Sequence, residues 1–122
     1  ALDFLYASDV SVVATSHIYN GIQQTDLDRD LTGVEFSAMP WTLPGQLATE
    51  LTPDTRLHTA YRHLYAVGHD AFLLHRNLRD LQSEQETWVF GATGLLSLSD
   101  GVIRRQQKWA EFQRGKVVEL AR

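Results

Sequence analysis

Residues 33–44 read Gly-Val-Glu-Phe-Ser-Ala-Met-Pro-Trp-Thr-Leu-Pro. Val34, Phe36 and Ala38 alternate with Glu35 and Ser37, the period of two that marks a strand with one buried face. The alternation ends at Met39-Pro40, because proline has no amide hydrogen to give to a ladder. Trp41 then sits between Pro40 and Pro44, so the bulkiest side chain of the stretch stands where regular structure has to stop. A half-buried strand that ends in a rigid aromatic turn is the reference point for the rest of the chain.

Working towards the N-terminus, Asp26 to Asp30 reads as a polar, acidic connection, and Ser16-His-Ile-Tyr-Asn-Gly21 as a loop, its Asn-Gly pair tolerating positive φ. Before it, Val10 to Thr15 reads as a short buried strand, preceded by a helical segment carrying Leu2, Leu5 and Tyr6. Working towards the C-terminus, Thr52-Pro-Asp54 is a helix start: the threonine can cap, the proline fits the first turn and the aspartate favours the positive end of the dipole. Leu57, Tyr61, Leu64, Ala71, Leu74, Leu78 and Leu81 then trace an apolar stripe to about Gln82. Gly68 lies in that stripe, where it costs about 1 kcal/mol relative to alanine unless a close neighbour needs the space.

From Thr87 onward the pattern is that of strands. Trp88-Val-Phe90 is short and apolar, Gly91-Ala-Thr-Gly94 reads as a bend, and Leu95 to Leu98 leads to Asp100-Gly101, a hairpin turn followed by one arm from Val102 to Phe112. A second turn at Arg114-Gly-Lys116 and a last run, Val117 to Leu120, complete an expected meander of three strands. Helix, strand, strand, long helix and meander follow one another along the chain. No repeat, low-complexity tract or linker divides residues 1–122, which read as a single module without an internal boundary.

The 122 residues are 43% hydrophobic and 21% charged, the balance of a chain that folds around a core. Net charge is −4 and no basic run could neutralise a row of phosphates, so nucleic acid is not an expected partner. There is no cysteine, which excludes disulfides, thiolate nucleophiles and Cys-bearing zinc sites. No apolar run approaches the ~18 residues that would span a bilayer. The chain opens on Ala-Leu-Asp-Phe-Leu-Tyr-Ala as though entering a helix part-way, the start expected of a piece of a longer protein.

Catalytic and metal motifs fail on spacing. Asp26 to Gly33 resembles a calcium loop, but the sixth and twelfth positions, which need glycine and glutamate, hold Leu31 and Ser37. His58, His63, His69 and His75 are five, six and six residues apart, whereas chelation from one helix wants three or four. The pair that shares a face, His58 and His69, is separated by roughly 16 Å of helix. Gly91-Ala-Thr-Gly94 lacks the ending of a phosphate loop and precedes a strand, and no Gly-x-Ser-x-Gly elbow occurs. The residues therefore imply no cofactor, no metal and no catalytic group.

What remains are side chains just past the strand ends. His17, Tyr19 and Asn20 follow the first strand, and Met39 and Trp41 follow the second. Ligands of open α/β sheets bind beyond the carboxyl ends of strands, so these five are the candidate contact or cleft residues. Two readings stand side by side: a preordered contact loop anchored by an aromatic, or a lid on the end of the core.

The segments "VVATSHIYNG", "LTGVEFSAMPWTLP", "LYAVGHDAFLL" and "GATGLLSLSDGVIRRQQKWAEFQRGKV" together resemble the C-terminal part of the penicillin-binding-protein activator lipoproteins, the LpoA/LppC family. The resemblance implies that the chain is the last portion of a module similar to type I periplasmic binding proteins, a sheet flanked by helices with a C-terminal β-meander. It implies a non-enzymatic regulator that binds a class A penicillin-binding protein and stimulates peptide cross-linking. The implied place is the periplasmic side of the outer membrane, reached through a lipid anchor upstream, with the upstream part of the same protein as a second partner. It further implies that Met39-Pro-Trp41 is where the chain leaves one lobe's sheet. The alternative is a periplasmic small-molecule receptor, although this chain alone supplies only part of a two-lobed cleft.

Overall fold

The computed structural model describes residues 10–44, 59–83 and 86–121. The first strand, β1, is Val12–Ala14, and a turn of 3-10 helix follows at Ser16–Ile18. The acidic connection is not plain loop: Thr25–Asp28 forms a short helix, α1, and Arg29–Leu31 a further 3-10 turn. Asp28 makes this turn possible, its carboxylate accepting the Gln24 amide hydrogen at 2.9 Å. The alternating stretch is β2, Val34–Ala38, with Phe36 and Ala38 fully buried on one face.

After β2 the chain closes a 3-10 turn at Pro40–Thr42 and later forms a long helix, α2, Thr59–Arg76. Asn77 interrupts that helix, its side-chain amide donating back to the Leu73 carbonyl at 2.8 Å, and a last turn, α3, runs Leu78–Leu81. Thr52, Pro53, Asp54 and Leu57, with the segment bearing Leu2, Leu5 and Tyr6, lie outside the described residues.

The C-terminal third holds five strands where the pattern suggested three. They are β3 Val89–Phe90, β4 Leu95–Ser99, β5 Val102–Gln106, β6 Lys108–Gln113 and β7 Lys116–Leu120. Both hairpin turns stand where expected: Asp100-Gly101 and Arg114-Gly115 each take positive φ at both positions, the geometry that matches strand twist in a two-residue loop. The arm from Val102 to Phe112, however, breaks at Gln107. Residues before the break pair with β4, and residues after it pair with β2 and β7. Arg104 to Lys108 are five polar residues in a row, so burial periodicity gives no sign of the corner.

Two sheets result. One is mixed, in the order β1-β2-β6-β7, with β1 parallel to β2 and the other pairs antiparallel; the second, β3-β4-β5, is antiparallel throughout. The mixed sheet carries the main core. Phe36 stacks on Phe112 at 4.9 Å between ring centroids, directly opposite strands bringing Phe36 beside Ala110, and Tyr19 closes over both rings at 5.9 and 6.1 Å. Leu43 and Val117 complete this cluster.

The expected apolar stripe of the long helix faces inward only in part: Leu81 is buried and Leu74 half-buried, while its other described positions face outward. Tyr61, Leu64 and Leu78 are exposed, and the buried positions are Ala66 and Asp70, with Leu81 of α3. A second core cluster explains the choice: Ala66 packs with Met39, Trp41 and Ala92, a contact that admits only a small side chain on the helix.

Candidate functional site

Three loops converge on α2, each from the end of a strand. The loop after β1 brings His17 to His63, ring edge to ring face with centroids 5.4 Å apart. The turn after β2 brings Trp41 onto Tyr65, stacked at 5.6 Å and 27°. The bend between β3 and β4 brings Ala92 and Thr93 to Asp70. Positions 63, 66 and 70 recur at helical spacing, so a single face of α2 gathers all three.

The Asp70 contact is the most completely bonded. Its carboxylate accepts the Ala92 amide at 2.7 Å, the Thr93 amide at 2.8 Å and the Thr93 hydroxyl at 2.5 Å, with His69 Nδ1 at 3.0 Å. Asp70 and Thr93 are both buried. Successive amides directed at a carboxylate form a nest that compensates a buried anion. Glycine is required beside it, because a Cβ on Gly91 would lie 2.5 Å from Asp70 Oδ2. The Gly-Ala-Thr-Gly bend is thus a receptor for a carboxylate of the same chain.

A histidine, an aspartate and a threonine in contact invite a nucleophilic reading, and the geometry refuses it. The threonine hydroxyl is bonded to the aspartate and not to the histidine, so no imidazole stands ready to take its proton. Thr93 is also fully buried, out of reach of a substrate. Among the described residues, no three His, Asp or Glu side chains are grouped so as to hold a metal ion, and no helix is long and apolar enough to cross a membrane.

The five candidate residues separate into two groups. Tyr19, Met39 and Trp41 are buried: Tyr19 belongs to the main core, and Met39 and Trp41 to the cluster under α2. The Trp41 amide hydrogen is itself committed, to the Ala92 carbonyl at 3.2 Å, and the turn is closed by Thr42, which donates its hydroxyl to the Met39 carbonyl at 2.8 Å. Asn20 is half-buried and holds its own loop, accepting the Ile22 amide hydrogen at 2.9 Å. His17 is exposed except on the side of His63. The structure therefore joins Met39 and Trp41, keeps Tyr19 in a separate cluster, and leaves His17 at the surface.

Burial shifts two groups. The Tyr19 phenol is raised above its ordinary value, first by burial and then by the nearby Asp28 carboxylate. His63 is lowered, first by burial and then by His17, while the Tyr19 backbone opposes both. His63 Nε2 and Arg62 Nε are buried without a hydrogen-bond partner. Sequence reasoning missed Asp70 altogether. Its one signal was an acidic residue four positions from Ala66 on a helix face that otherwise buries small or apolar groups.

These features describe an α/β module in which three loops meet one face of a helix. The family described as "LppC putative lipoprotein" matches residues 1–115, and the chain belongs to that family. The penicillin-binding protein activator LpoA of Edwardsiella ictaluri is 32% identical over 114 residues, covering 91% of this chain and 17% of that protein. The penicillin-binding protein activator LpoA of Escherichia coli K12 is 26% identical over 117 residues, covering 93% and 17%. A crystal structure of Haemophilus influenzae LpoA superposes with a TM-score of 0.74 at 26% identity, covering 99% of this chain and 23% of that one. The C-domain of the same protein, described as a regulator of PBP1A, shares the fold at a TM-score of 0.67 and 22% identity, covering 98% of this chain and 39% of that one. The chain spans about a sixth of the length of the curated relatives.

Proposed function

We propose that the chain is part of a non-enzymatic activator that binds a class A penicillin-binding protein and raises its rate of peptide cross-linking. The observation that carries this reading is agreement over nearly the whole chain, in sequence and in fold, with proteins named as penicillin-binding protein activators. The lipoprotein family supports a place in the cell envelope, and we place the protein on the periplasmic side of the outer membrane, held by a lipid anchor outside these residues. The convergence of three loops on α2 suits such a role, since it packs the helix directly against the ends of β1 and β2 and the bend before β4.

The test is the cross-linking rate of a purified class A penicillin-binding protein titrated with the full-length protein that contains this chain. A saturable rise in rate is expected, with no cross-linking or hydrolysis from the activator alone. An unchanged rate across a saturating titration removes the assignment.

A further inference from the structure

The turn after β1 is the lightest of the three contacts on α2. Ser16–Ile18 buries no residue, and the turn is closed by the Ile18 amide on the Thr15 carbonyl at 3.2 Å. It meets the helix through His17, an exposed side chain whose ring stands against that of His63 at 5.4 Å between centroids and 77° between planes. The other two contacts are of a different kind. Trp41 is buried and stacked on Tyr65, and Asp70 accepts three hydrogen bonds from Ala92 and Thr93. A segment with few buried groups opens at lower cost than the elements around it.

His63 has two protonation states that need different surroundings. Its Nε2 is buried with no hydrogen-bond partner. In the neutral ring that nitrogen can stand as a bare lone pair, whereas the protonated ring carries a hydrogen on both nitrogens and would bury an Nε2–H without an acceptor. The charge would also stand beside a second imidazole, and neither ring forms an ion pair with a carboxylate of the described residues. From the loop after β1, the groups that bear on the ring are His17 and Tyr19. The Tyr19 backbone favours the charged form, while the Tyr19 phenol lies in the main core, where Asp28 acts on it. From α2 itself, Arg62 is a cation with its own Nε buried and unpartnered, and Asp70 is committed to Ala92, Thr93 and His69. Burial, and then His17, outweigh the Tyr19 backbone and hold His63 below its ordinary value.

We propose that the His17–His63 contact is a pH-operated latch: it holds the Ser16–Ile18 turn against α2 while His63 is neutral, and a proton on His63 lifts the turn away while the Trp41 and Asp70 contacts stay closed. Lifting the turn gives Nε2–H to water and separates the two imidazoles. The direction follows from linkage. The ring in the open form has the ordinary value of 6.5 and the ring in the closed form lies lower, so acidification favours the open form. With the closed ring still neutral, taking the pH from about 7.5 to about 5.5 raises the open population by about tenfold. The latch goes beyond the activator reading, and its test needs no synthase.

The experiment is hydrogen exchange, followed by mass spectrometry on the full-length protein at about pH 7.5 and about pH 5.5 and corrected for intrinsic exchange rates. The Ile18 amide reports the latch, and the Ala92 and Thr93 amides serve as the reference. Protection at the turn is expected to fall by about tenfold on acidification while the reference stays unchanged. His63→Gln, which takes up no proton, should show no fall, and His17→Glu should abolish it, because a carboxylate then faces the charged ring. Equal protection of the wild-type turn at both pH values overturns the latch. So does a fall that persists in His63→Gln, or one shared by Ala92 and Thr93, which would show all three contacts opening together. If His63→Gln does not fold, His17→Glu decides alone: a fall as large as in wild type overturns the proposal.

Discussion

Thr93 gives Asp70 both its amide hydrogen, at 2.8 Å, and its hydroxyl, at 2.5 Å, tying the bend before β4 to the middle of α2 across 23 residues of chain. Replacing Asp70 by alanine leaves the Ala92 and Thr93 amides and the Thr93 hydroxyl buried without an acceptor. At 1–3 kcal/mol for each orphaned donor, partly relieved by water entering the gap, Asp70→Ala is expected to cost about 3 kcal/mol. Asp70→Asn retains one acceptor oxygen and turns an NH₂ toward donors, so it should fall between alanine and wild type. Equilibrium urea unfolding of the three proteins measures the order; an alanine variant as stable as wild type would show the nest to be energetically idle.

Gly91 and Gly68 give opposite expectations for the same substitution. A Cβ at Gly91 enters the Asp70 carboxylate at 2.5 Å, so Gly91→Ala must displace the buried anion from its nest and should destabilise by about 1–3 kcal/mol, the usual range for overpacking. Gly68 lies in α2, exposed, with nothing within 4 Å of an added Cβ. Gly68→Ala removes unfolded-state entropy at a helical position and should stabilise by about 0.5–1 kcal/mol. Thermal melts of the two variants should move in opposite directions.

The sequence made the strands and their turns visible where burial alternates or a turn demands positive φ. Val34 to Ala38, Asp100-Gly101 and Arg114-Gly115 are of this kind. Two elements were illegible for physical reasons. The corner at Gln107 lies within an exposed polar run, where no periodicity records which sheet a strand joins. The orientation of α2 was hidden because its buried positions are Ala66 and a bonded aspartate, while Tyr61, Leu64 and Tyr65 are exposed. The strand-end rule pointed to Met39 and Trp41, and the structure buries both in the cluster with Ala66 of α2, which the two prolines around the tryptophan did not reveal. The exposed aromatics, Phe90 and Trp88, carried no distinguishing pattern in a short apolar run.

His63 makes stability depend on pH in a known direction. Burial and His17 lower its pKa from 6.5, so the unfolded chain binds the proton more readily than the folded one. Stability from this group is present above the unfolded value and is lost as pH falls through it towards the folded value. Chemical denaturation midpoints should therefore decline as the pH is taken from about 7.5 to 5.5, and His63→Gln should flatten that decline. An identical slope in the variant would show that the His63 ring is not desolvated by the loop after β1.

Trp41 separates a folding role from a contact role. It is buried, stacks on Tyr65 and gives its amide hydrogen to Ala92, so Trp41→Ala opens a cavity at the centre of the junction and is expected to cost about 3–5 kcal/mol. Trp41→Phe keeps an aromatic face for Tyr65 and much of the volume, and should lose far less. In the full-length protein, stimulation of cross-linking should therefore follow the folded fraction: weakened or lost in the alanine variant together with its cooperative melt, and retained in the phenylalanine variant. Activity measured below the melting transition of each variant separates the two roles. Full stimulation by folded Trp41→Ala would mean that the junction under α2 plays no part in activation, whereas its loss in a fully folded Trp41→Phe would place a partner contact on the indole itself.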